Sequence, residues 1–597
     1  MKNYIRKSYI KESLQAVRSK VSIIYVALLA FVLCFPSCMD FEPEDKMGDG
    51  QVWSSQDNFI LFANQFYGWM RDIQSSDYQS GLSDGVHSDF RSDLICTATE
   101  NVYSMGAFTK PATDSNYGTL YKRIYYTNLL IKNAGDFGKE RVGAPLGEAY
   151  FMRAYLYFEL VQIYGDAILL TEPLDINSEK LTSERDSRTV VVDQILADLD
   201  SAAVYLPEQP REDGRLCKDA AYAMSGRVAL YEGTWEKFHK TDLWQTGDVD
   251  NMTNNERVKT LLHKAITSSE KVMSGGHYQL FNNATLADKS YRYLFILEDA
   301  AQCNPANVGK AANKEYIIKT RHRAGDKLAL NITHAMTNNV VYYTRKFANM
   351  HLCQDGLPID RSPLFAGYTL PNDEFKNRDN RMLMNMLQHG ENYWTNDGKW
   401  RTTWTDADLA NSLTNSAIGN TGYHNKKWGV ERQVDDNFES MDWPVLRYAE
   451  VLLNWAEAKY EYDGRINDGD LNRSLNQVRK RSNPKMTPLT NALVDANGLS
   501  MREEIRRERT VELILEGMRI DDLKRWATAK TEMPMDQEGV LYNEWFEANW
   551  PNCPYSISPN GCVLLYTGRQ WEDKCNLYPL PSDQCQLNPQ LGQNPGW

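Results

Sequence analysis

Hydrophobic side chains recur at steps of three and four along most of the first 280 residues, which is the period of a helix with one buried face. In the segment 145–165 this spacing is carried by Ala149, Met152, Leu156, Leu160 and Ile163. The same pattern predicts helices at 54–72, 114–136, 145–165, 189–206, 217–235 and 256–274. Helices of similar length joined by short polar links predict a scaffold of helical hairpins of the tetratricopeptide kind.

The periodic pattern fades over 281–443, where Gly, Asn, Asp, Pro and Trp accumulate. Long loops inside a folded protein are usually functional, so we expect this loop-rich segment to carry a site. Helical spacing then returns, and it predicts helices at 444–463, 468–482 and 500–528. The chain is therefore expected to be mostly α, with an amino-terminal helical region at 38–280 and a carboxy-terminal region at 281–597 whose returning helices span 444–528.

The first 37 residues have the layout of a secretory signal. A basic region precedes the apolar run Val21–Phe35, and Pro36 and Ser37 follow it. Cys38 comes next, so residues 1–37 are predicted to be a lipoprotein signal peptide and Cys38 the lipid-bearing first residue of the mature protein. Phe35 and Pro36 depart from the usual lipoprotein pattern, and an uncleaved amino-terminal anchor helix stays open as the alternative.

A formal net charge of −13 makes the protein acidic, and removal of the basic leader would make it more so. Nucleic-acid partners need basic surfaces that displace counterions from phosphates, so we expect none. Polyanionic ligands are disfavoured for the same reason, although a local basic patch such as 424–427 would escape this average.

Recognisable catalytic and metal-binding motifs are missing from the sequence. It has neither His-Glu-x-x-His nor Cys-x-x-Cys spacing, and no phosphate-binding glycine loop with its lysine. We therefore expect a protein without catalytic residues, metal or cofactor.

Several long motifs resemble the SusD/RagB family in sequence order. They are "GEAYFMRAYLYFELVQIYGDAILLTEPL" at 147–174, "WPVLRYAEVLLNWAEAKY" at 443–460, "LNQVRKRS" at 475–482, "EEIRRERTVELILEGMRIDDLKRW" at 503–526 and the ending "LYPLPSDQCQLNPQLGQNPGW". The resemblance implies the SusD-like fold. It also implies a surface lipoprotein of the Bacteroidetes outer membrane that captures glycans for nutrient uptake with a SusC-like TonB-dependent transporter. The acidic "MDFEPED" after Cys38 resembles the surface-export signal of such lipoproteins.

The charged residues in these motifs are predicted to be structural. Arg509, Glu512, Glu516 and Arg519 are spaced by three and four, so we expect them to pair along one face of a helix. The two glutamates would form a glycosidase dyad only if one of them carried a proton, which neighbouring arginines oppose. Arg447, Glu450 and Glu457 have the same helical spacing, and we expect the same role for them.

Aromatic and polar side chains in the loops are the candidates for ligand binding, because sugars stack on aromatic rings and hydrogen-bond through their hydroxyls. The first group, in 77–108, is Tyr78, Asp84, Asp89, Phe90, Arg91, Asp93, Asn101 and Tyr103. The second group, in 391–404, is Trp394, Trp400, Arg401 and Trp404. Tyr342 and Tyr343 form a third. Each ring has the alternative of filling a gap between loop and scaffold.

Three functions stay open at this point. The first is a surface lipoprotein that captures an oligosaccharide and acts as a lid on its transporter. The second is the RagB-type, peptide-capturing version of the same machine, and the third is a helical glycoside hydrolase. Export would also permit disulfides, with Cys553–Cys562 as one option whose pairing the sequence leaves open.

Overall fold

A computed structural model of the chain describes residues 53–72, 87–96, 100–239, 256–299, 304–324, 332–333, 341–389, 391, 393–394, 400–401, 420–435 and 438–597. The predicted signal peptide and four of the named site residues lie outside these ranges: Cys38, Tyr78, Asp84 and Trp404. Residues 59–597 form one unit, and the tertiary contacts discussed below all lie within it.

Ten helices of the described part have seven residues or more. They are α1 (Gln56–Ala63), α2 (Ser115–Phe137), α3 (Ala144–Tyr164), α4 (Arg188–Tyr205), α5 (Lys218–Phe238), α6 (Glu256–Gly275), α7 (Tyr448–Asp463), α8 (Leu475–Ser482), α9 (Met501–Leu513) and α10 (Arg519–Arg525). Shorter helices are Lys139–Val142, Ser290–Leu294, Arg345–Met350, Asn380–Asn385, Asp468–Asn472, Asn491–Ala496, Ala529–Glu532, Glu544–Asn549 and Ser582–Leu587. The predicted mostly-α architecture is confirmed.

Strands are short and form small antiparallel sheets. They are β1 (Ile95–Cys96), β2 (Tyr316–Thr320), β3 (Tyr342–Tyr343), β4 (Tyr393–Trp394), β5 (Trp400–Arg401), β6 (Trp443–Arg447), β7 (Gln537–Leu541), β8 (Ser556–Ile557) and β9 (Cys562–Tyr566). β1 pairs with β3, β2 with β6, and β4 with β5, while β9 lies between β7 and β8.

The long helices pack in chain order as an array of hairpins: α2 contacts α3, α3 contacts α4, α4 contacts α5, and α5 contacts α6. α7, from the carboxy-terminal region, then packs on α6 and closes the array. Leu230, Leu262 and Trp455 belong to the apolar core shared by α5, α6 and α7. The division predicted at residue 280 separates two regions of the sequence. In the structure, helices from both regions pack in the same array.

α2 positions one wall of the cavity described below, and its ends follow ordinary capping rules. The backbone N–H of Asn116 donates to Oδ1 of Asp114 at 2.9 Å, which satisfies an N–H group of the first turn. The helix ends at Phe137, and Gly138 follows with a φ of 107°, a conformation that side chains disfavour. The polar residues of this helix are thus held in a fixed register.

The predicted helix 444–463 is wrong at its start. Residues Trp443–Arg447 form β6, which pairs with β2, and the helix begins at Tyr448. The strand depends on a partner far away in the sequence, which local periodicity does not reveal. The predicted helix 468–482 is likewise divided, into Asp468–Asn472 and α8.

The predicted helix 500–528 is interrupted between α9 and α10. Leu515 and Gly517 have φ values of 57° and 76°, which no continuous right-handed helix allows. A Cβ at position 517 would lie 2.9 Å from the carbonyl oxygen of His87, so glycine is required there. The carboxylate of Asp89 accepts from the backbone N–H groups of Gly517 (3.3 Å) and Arg519 (3.0 Å), which fixes the turn.

Because of this interruption, Arg509, Glu512, Glu516 and Arg519 do not share one helix face as predicted. Their structural role is nevertheless that of ion pairing, with partners from other elements. Glu512 contacts Arg381 and Arg447 at 2.9 and 2.7 Å, and also Arg481. Two more pairs are Arg509 with Asp522 (2.7 Å) and Arg519 with Asp93 (2.8 Å).

The prediction that Arg447, Glu450 and Glu457 share one helix face is also wrong. Arg447 lies at the end of β6, and the two glutamates of α7 pair with other arginines. Glu450 contacts Arg227 at 2.6 Å, and Glu457 contacts Arg525 at 2.6 Å.

The structure also differs from two suggestions of the sequence, a basic surface patch at 424–427 and a Cys553–Cys562 disulfide. The segment 424–427 is not a basic surface patch, because His424 and Lys427 are buried and Lys426 pairs with Glu391 at 2.9 Å. Cys553 and Cys562 are both free thiols in the structure, so they form no disulfide here.

Candidate functional site

A cavity of about 210 Å³ lies beside α2 and α3, where they meet the start of β6 and the 516–518 turn. Its lining also includes the segment 69–72 and His87. The predicted stretch 77–108 therefore reaches this cavity at two positions of the described part, His87 and Ser88.

The cavity floor is a chain of charged side chains. Nδ1 of His87 lies 2.6 Å from Oδ2 of Asp521, and Nε2 lies 2.7 Å from Oε2 of Glu159. Nε of Arg71 lies 2.8 Å from the other oxygen of Glu159. These contacts join three separate parts of the chain, and they pair the polar groups of the floor with one another.

Both carboxylates of the floor are ionised at neutral pH. Burial alone would raise the pKa of Glu159, but Arg71 and the contact with His87 hold it at about 2. Burial would likewise raise the pKa of Asp521, and the contacts with His87 and Arg71 hold it at about 2. Neither carboxyl therefore has a proton to donate as a general acid. We assign the floor a structural role.

One wall of the cavity is a polar face of α2. Asn116, Thr119 and Arg123 follow each other at helical spacing, and all three line the cavity. Asn116 and Thr119 are exposed, whereas Arg123 is half-buried. The wall offers an amide, a hydroxyl and a guanidinium to a ligand.

An aromatic ring stands beside this polar wall. Trp69 is half-buried and packs on Phe66, with 5.0 Å between ring centres. The guanidinium carbon of Arg123 lies 5.7 Å from the centre of the Trp69 ring. An aromatic surface next to hydrogen-bonding groups suits a hydroxylated ligand with an apolar face, as a sugar ring has.

Most of the described residues of the first predicted group are buried, whereas Tyr103 is half-buried; the buried ones are Asp89, Phe90, Arg91, Asp93 and Asn101. The guanidinium carbon of Arg91 lies 3.5 Å from the centre of the Tyr103 ring, and Arg91 is only 2% exposed. Tyr103 also stacks on Tyr578 at 5.0 Å between ring centres. Asn101 is buried, and its Oδ1 accepts from the backbone N–H of Tyr103 at 2.9 Å. These side chains contact other protein groups, so the surface proposed below consists of other residues.

Tyr342 and Tyr343 form strand β3 and are fully buried. The hydroxyl of Tyr343 donates to Oδ1 of Asn425 at 2.6 Å, an interior hydrogen bond. The alternative for every ring was that it fills a gap between loop and scaffold. Tyr342 and Tyr343 are buried in this way.

The second predicted group falls on a two-stranded ladder. Trp394 lies directly opposite Trp400, and Tyr393 lies opposite Arg401. The structure therefore brings together three of the four residues in this group at the level of the backbone, while Trp404 lies outside the described residues.

Sequence reasoning missed the residues that line the cavity. Asn116, Thr119 and Arg123 fall on the predicted helix 114–136, and their polar spacing was visible in the sequence. Trp69 lies near the end of the predicted helix 54–72. The packing of α2 on α3 decides which face of α2 borders the cavity, and the sequence alone does not reveal this packing.

Within the described residues, no helix is long and apolar enough to cross a membrane. The same part of the chain contains no group of three or more His, Cys, Asp or Glu side chains arranged to hold a metal ion.

Solved structures with the same architecture are known. A SusD-like carbohydrate-binding protein of Bacteroides fragilis superposes with a TM-score of 0.69 at 22% identity, covering 90% of this chain and 99% of that one. A second SusD-like protein of the same organism gives a TM-score of 0.68 at 23% identity, covering 93% of this chain and all of its own. These likenesses establish the fold.

Comparisons of the sequence find SusD-like proteins as well. SusD-like protein P38 of Formosa agariphila is 21% identical over 548 residues, 88% of this chain and 96% of its own. SusD-like protein P25 of the same organism is 29% identical over 132 residues, so the match spans only 25% of P25 and 21% of this chain. The family model described as the SusD family matches residues 300–597, and the one described as starch-binding associating with outer membrane matches residues 54–230. The chain belongs to the SusD/RagB family.

Proposed function

We propose that this protein is a cell-surface glycan-binding lipoprotein of the outer membrane. It captures oligosaccharides and delivers them to a SusC-like TonB-dependent transporter, on which it acts as a lid. Family membership supports this role, as does the similarity to a structure described as a SusD-like carbohydrate-binding protein. No catalytic step is required for capture and delivery.

The observation that carries the proposal is the wall of the cavity. Asn116 and Thr119 on one face of α2 are exposed and stand beside the half-buried ring of Trp69. Hydroxyl groups of a sugar would exchange hydrogen bonds with the amide and the hydroxyl, while the ring of the sugar covers the indole.

The β4–β5 ladder is the second proposed contact surface. Directly opposite residues of an antiparallel pair share one face of the sheet, so the register places Trp394 and Trp400 on the same face. We propose that this ladder, with Arg401 and Trp404, extends glycan binding beyond the cavity.

The test is retention of the mature protein in affinity gels that contain a panel of polysaccharides. At least one gel is expected to retard the wild type, and Asn116→Ala with Thr119→Ala should weaken that retardation about tenfold or more, as loss of two hydrogen bonds to a ligand would. Lys122→Ala is the matched control, because Lys122 is exposed on the same helix and does not line the cavity. Retardation that both variants leave unchanged would overturn this placement of the site.

The peptide-capturing version of the same machine is the second candidate. It uses the same anchor and transporter, and it differs only in the ligand. A pool of peptides offered beside the glycan panel separates the two, since each candidate predicts binding in one pool only.

A further inference from the structure

Arg123 differs from every other charged side chain that lines the cavity. The acids and bases of the floor pair with one another, because Glu159 contacts both Arg71 (2.8 Å) and His87 (2.7 Å). Arg71 also contacts Asp521 at 3.8 Å. None of these charges is left for a ligand.

The two remaining carboxylates of the lining are also paired. Glu516 contacts Arg447 at 2.7 Å and Lys427 at 2.8 Å, both from outside the cavity. Oδ2 of Asp72 lies 3.1 Å from Nε2 of His322. The negative charges around the cavity are therefore held by protein groups.

Arg123 has no such partner in the described part of the chain. Its guanidinium forms neither a salt bridge nor a hydrogen bond there, and its one close polar interaction is with the face of Trp69 at 5.7 Å. The side chain is half-buried, so it has lost part of its hydration, and the nearby Glu159 makes its direct ion pairs with Arg71 and His87 instead. Burial accordingly lowers the pKa of Arg123, although Tyr155 and Glu159 act in the opposite direction.

A guanidinium in this setting gains most from an anionic ligand group. Its planar donors match a carboxylate or a sulfate, which accept two parallel hydrogen bonds. The neighbouring Asn116 and Thr119 would hold hydroxyls of the same ligand, and Trp69 its ring. The set combines one cation with neutral sugar-binding groups.

We propose that the cavity binds a glycan unit that carries an anionic substituent, a carboxylate or a sulfate, and that Arg123 pairs with this substituent. The inference rests on the proposed function and narrows its ligand. The net charge of −13 opposes long-range attraction of dense polyanions, so a glycan with isolated acidic groups fits better than a heavily sulfated chain.

Matched glycan pairs test this inference by calorimetry on the mature protein. One pair is oligogalacturonate and its fully methyl-esterified form, and the other is a sulfated galactan oligosaccharide and its desulfated form. We expect the acidic member of at least one pair to bind about tenfold or more tightly than its neutral member. The pair that shows the difference identifies the substituent as a carboxylate or a sulfate.

Three variants complete the experiment. Arg123→Gln should remove the preference for the acidic member, Arg123→Lys should keep part of it, and the neighbouring Lys122→Gln should keep all of it. Melting temperatures show that each variant is folded. A preference that survives in folded Arg123→Gln, or equal binding of acidic and neutral members by the wild type, would overturn the inference while leaving glycan capture intact. Binding of no glycan at all would overturn the proposed function and this inference with it.

Discussion

Nη1 of Arg447 lies 2.7 Å from Oε1 of Glu512, and both side chains are enclosed by the protein, with 1% and 0% of their surface exposed. Glu512 also contacts Arg381 and Arg481. Burial alone would raise the pKa of this carboxyl, but the surrounding arginines hold it at about 2. Glu512 is thus a structural anion and not an acid catalyst.

Removal of this charge is expected to destabilise the fold. Glu512→Gln leaves buried guanidinium groups without their shared counter-ion, which should lower the free energy of unfolding by about 3–5 kcal/mol. Denaturant unfolding measures the change. Glu503→Gln is the control on the same helix, because Glu503 is 61% exposed and should change stability by less than about 0.5 kcal/mol. Equal effects of the two substitutions would contradict the structural role.

The fold should lose stability in acid. The pKa values of Glu159, Glu457, Glu512 and Asp521 are held at about 2, below the values of about 4 expected in an unfolded chain. A carboxylate with a lowered folded pKa contributes stability that is present above pH ~4 and is lost as the pH falls towards 2.

Two buried carboxyls act in the opposite direction at higher pH. Burial raises the pKa of Asp89 to about 6 and that of Glu439 to about 7, so the folded state binds their protons more readily than the unfolded chain does. Their effect adds stability as the pH falls from about 7 towards 4. Melting temperatures from pH 8 to 2 should therefore be highest between about pH 4.5 and 6 and fall steeply below 4. A melting temperature that stays level down to pH 2 would contradict this account.

The main helices were predictable from the sequence because each buries a periodic apolar pattern. The start of α7 was not, since the strand Trp443–Arg447 exists only through its pairing with Tyr316–Thr320. The break before α10 was also hidden, because it depends on Asp89, a residue from a distant segment.

Part of the candidate site could be predicted from the sequence, and part of it depends on the fold. The tryptophans of the β4–β5 ladder stood out in the sequence as aromatic residues without a periodic core. Arg91 and Tyr343 were candidates in the loops as well, and only the fold shows that they are buried. The cavity beside Trp69 arises from contacts among distant segments, which no local pattern contains.

The tryptophans of the second predicted group should contribute to binding and not to stability. Trp400→Ala with Trp404→Ala is expected to abolish retention in a glycan gel while leaving the melting temperature nearly unchanged. Trp428→Ala provides the contrast, because Trp428 is fully buried against Trp443 and its loss should cost about 3–5 kcal/mol of stability. A large loss of stability in the double variant with retained binding would refute the proposal.

Cys38 should carry the lipid anchor. Metabolic labelling with a radioactive fatty acid is expected to mark the wild type and Cys34→Ala but to miss Cys38→Ala, because only Cys38 follows the predicted cleavage position. Two acyl chains or more on one residue anchor a protein stably. Equal labelling of Cys38→Ala and wild type would show that the anchor lies elsewhere.

Titration calorimetry of the mature protein with purified oligosaccharides, followed by chromatography of the same samples, tests glycan capture most directly. The account predicts saturable binding of at least one oligosaccharide, recovery of that oligosaccharide at its original length, and weaker binding by Asn116→Ala with Thr119→Ala. Binding of peptides with no binding of glycans, or the appearance of shorter products, would contradict it.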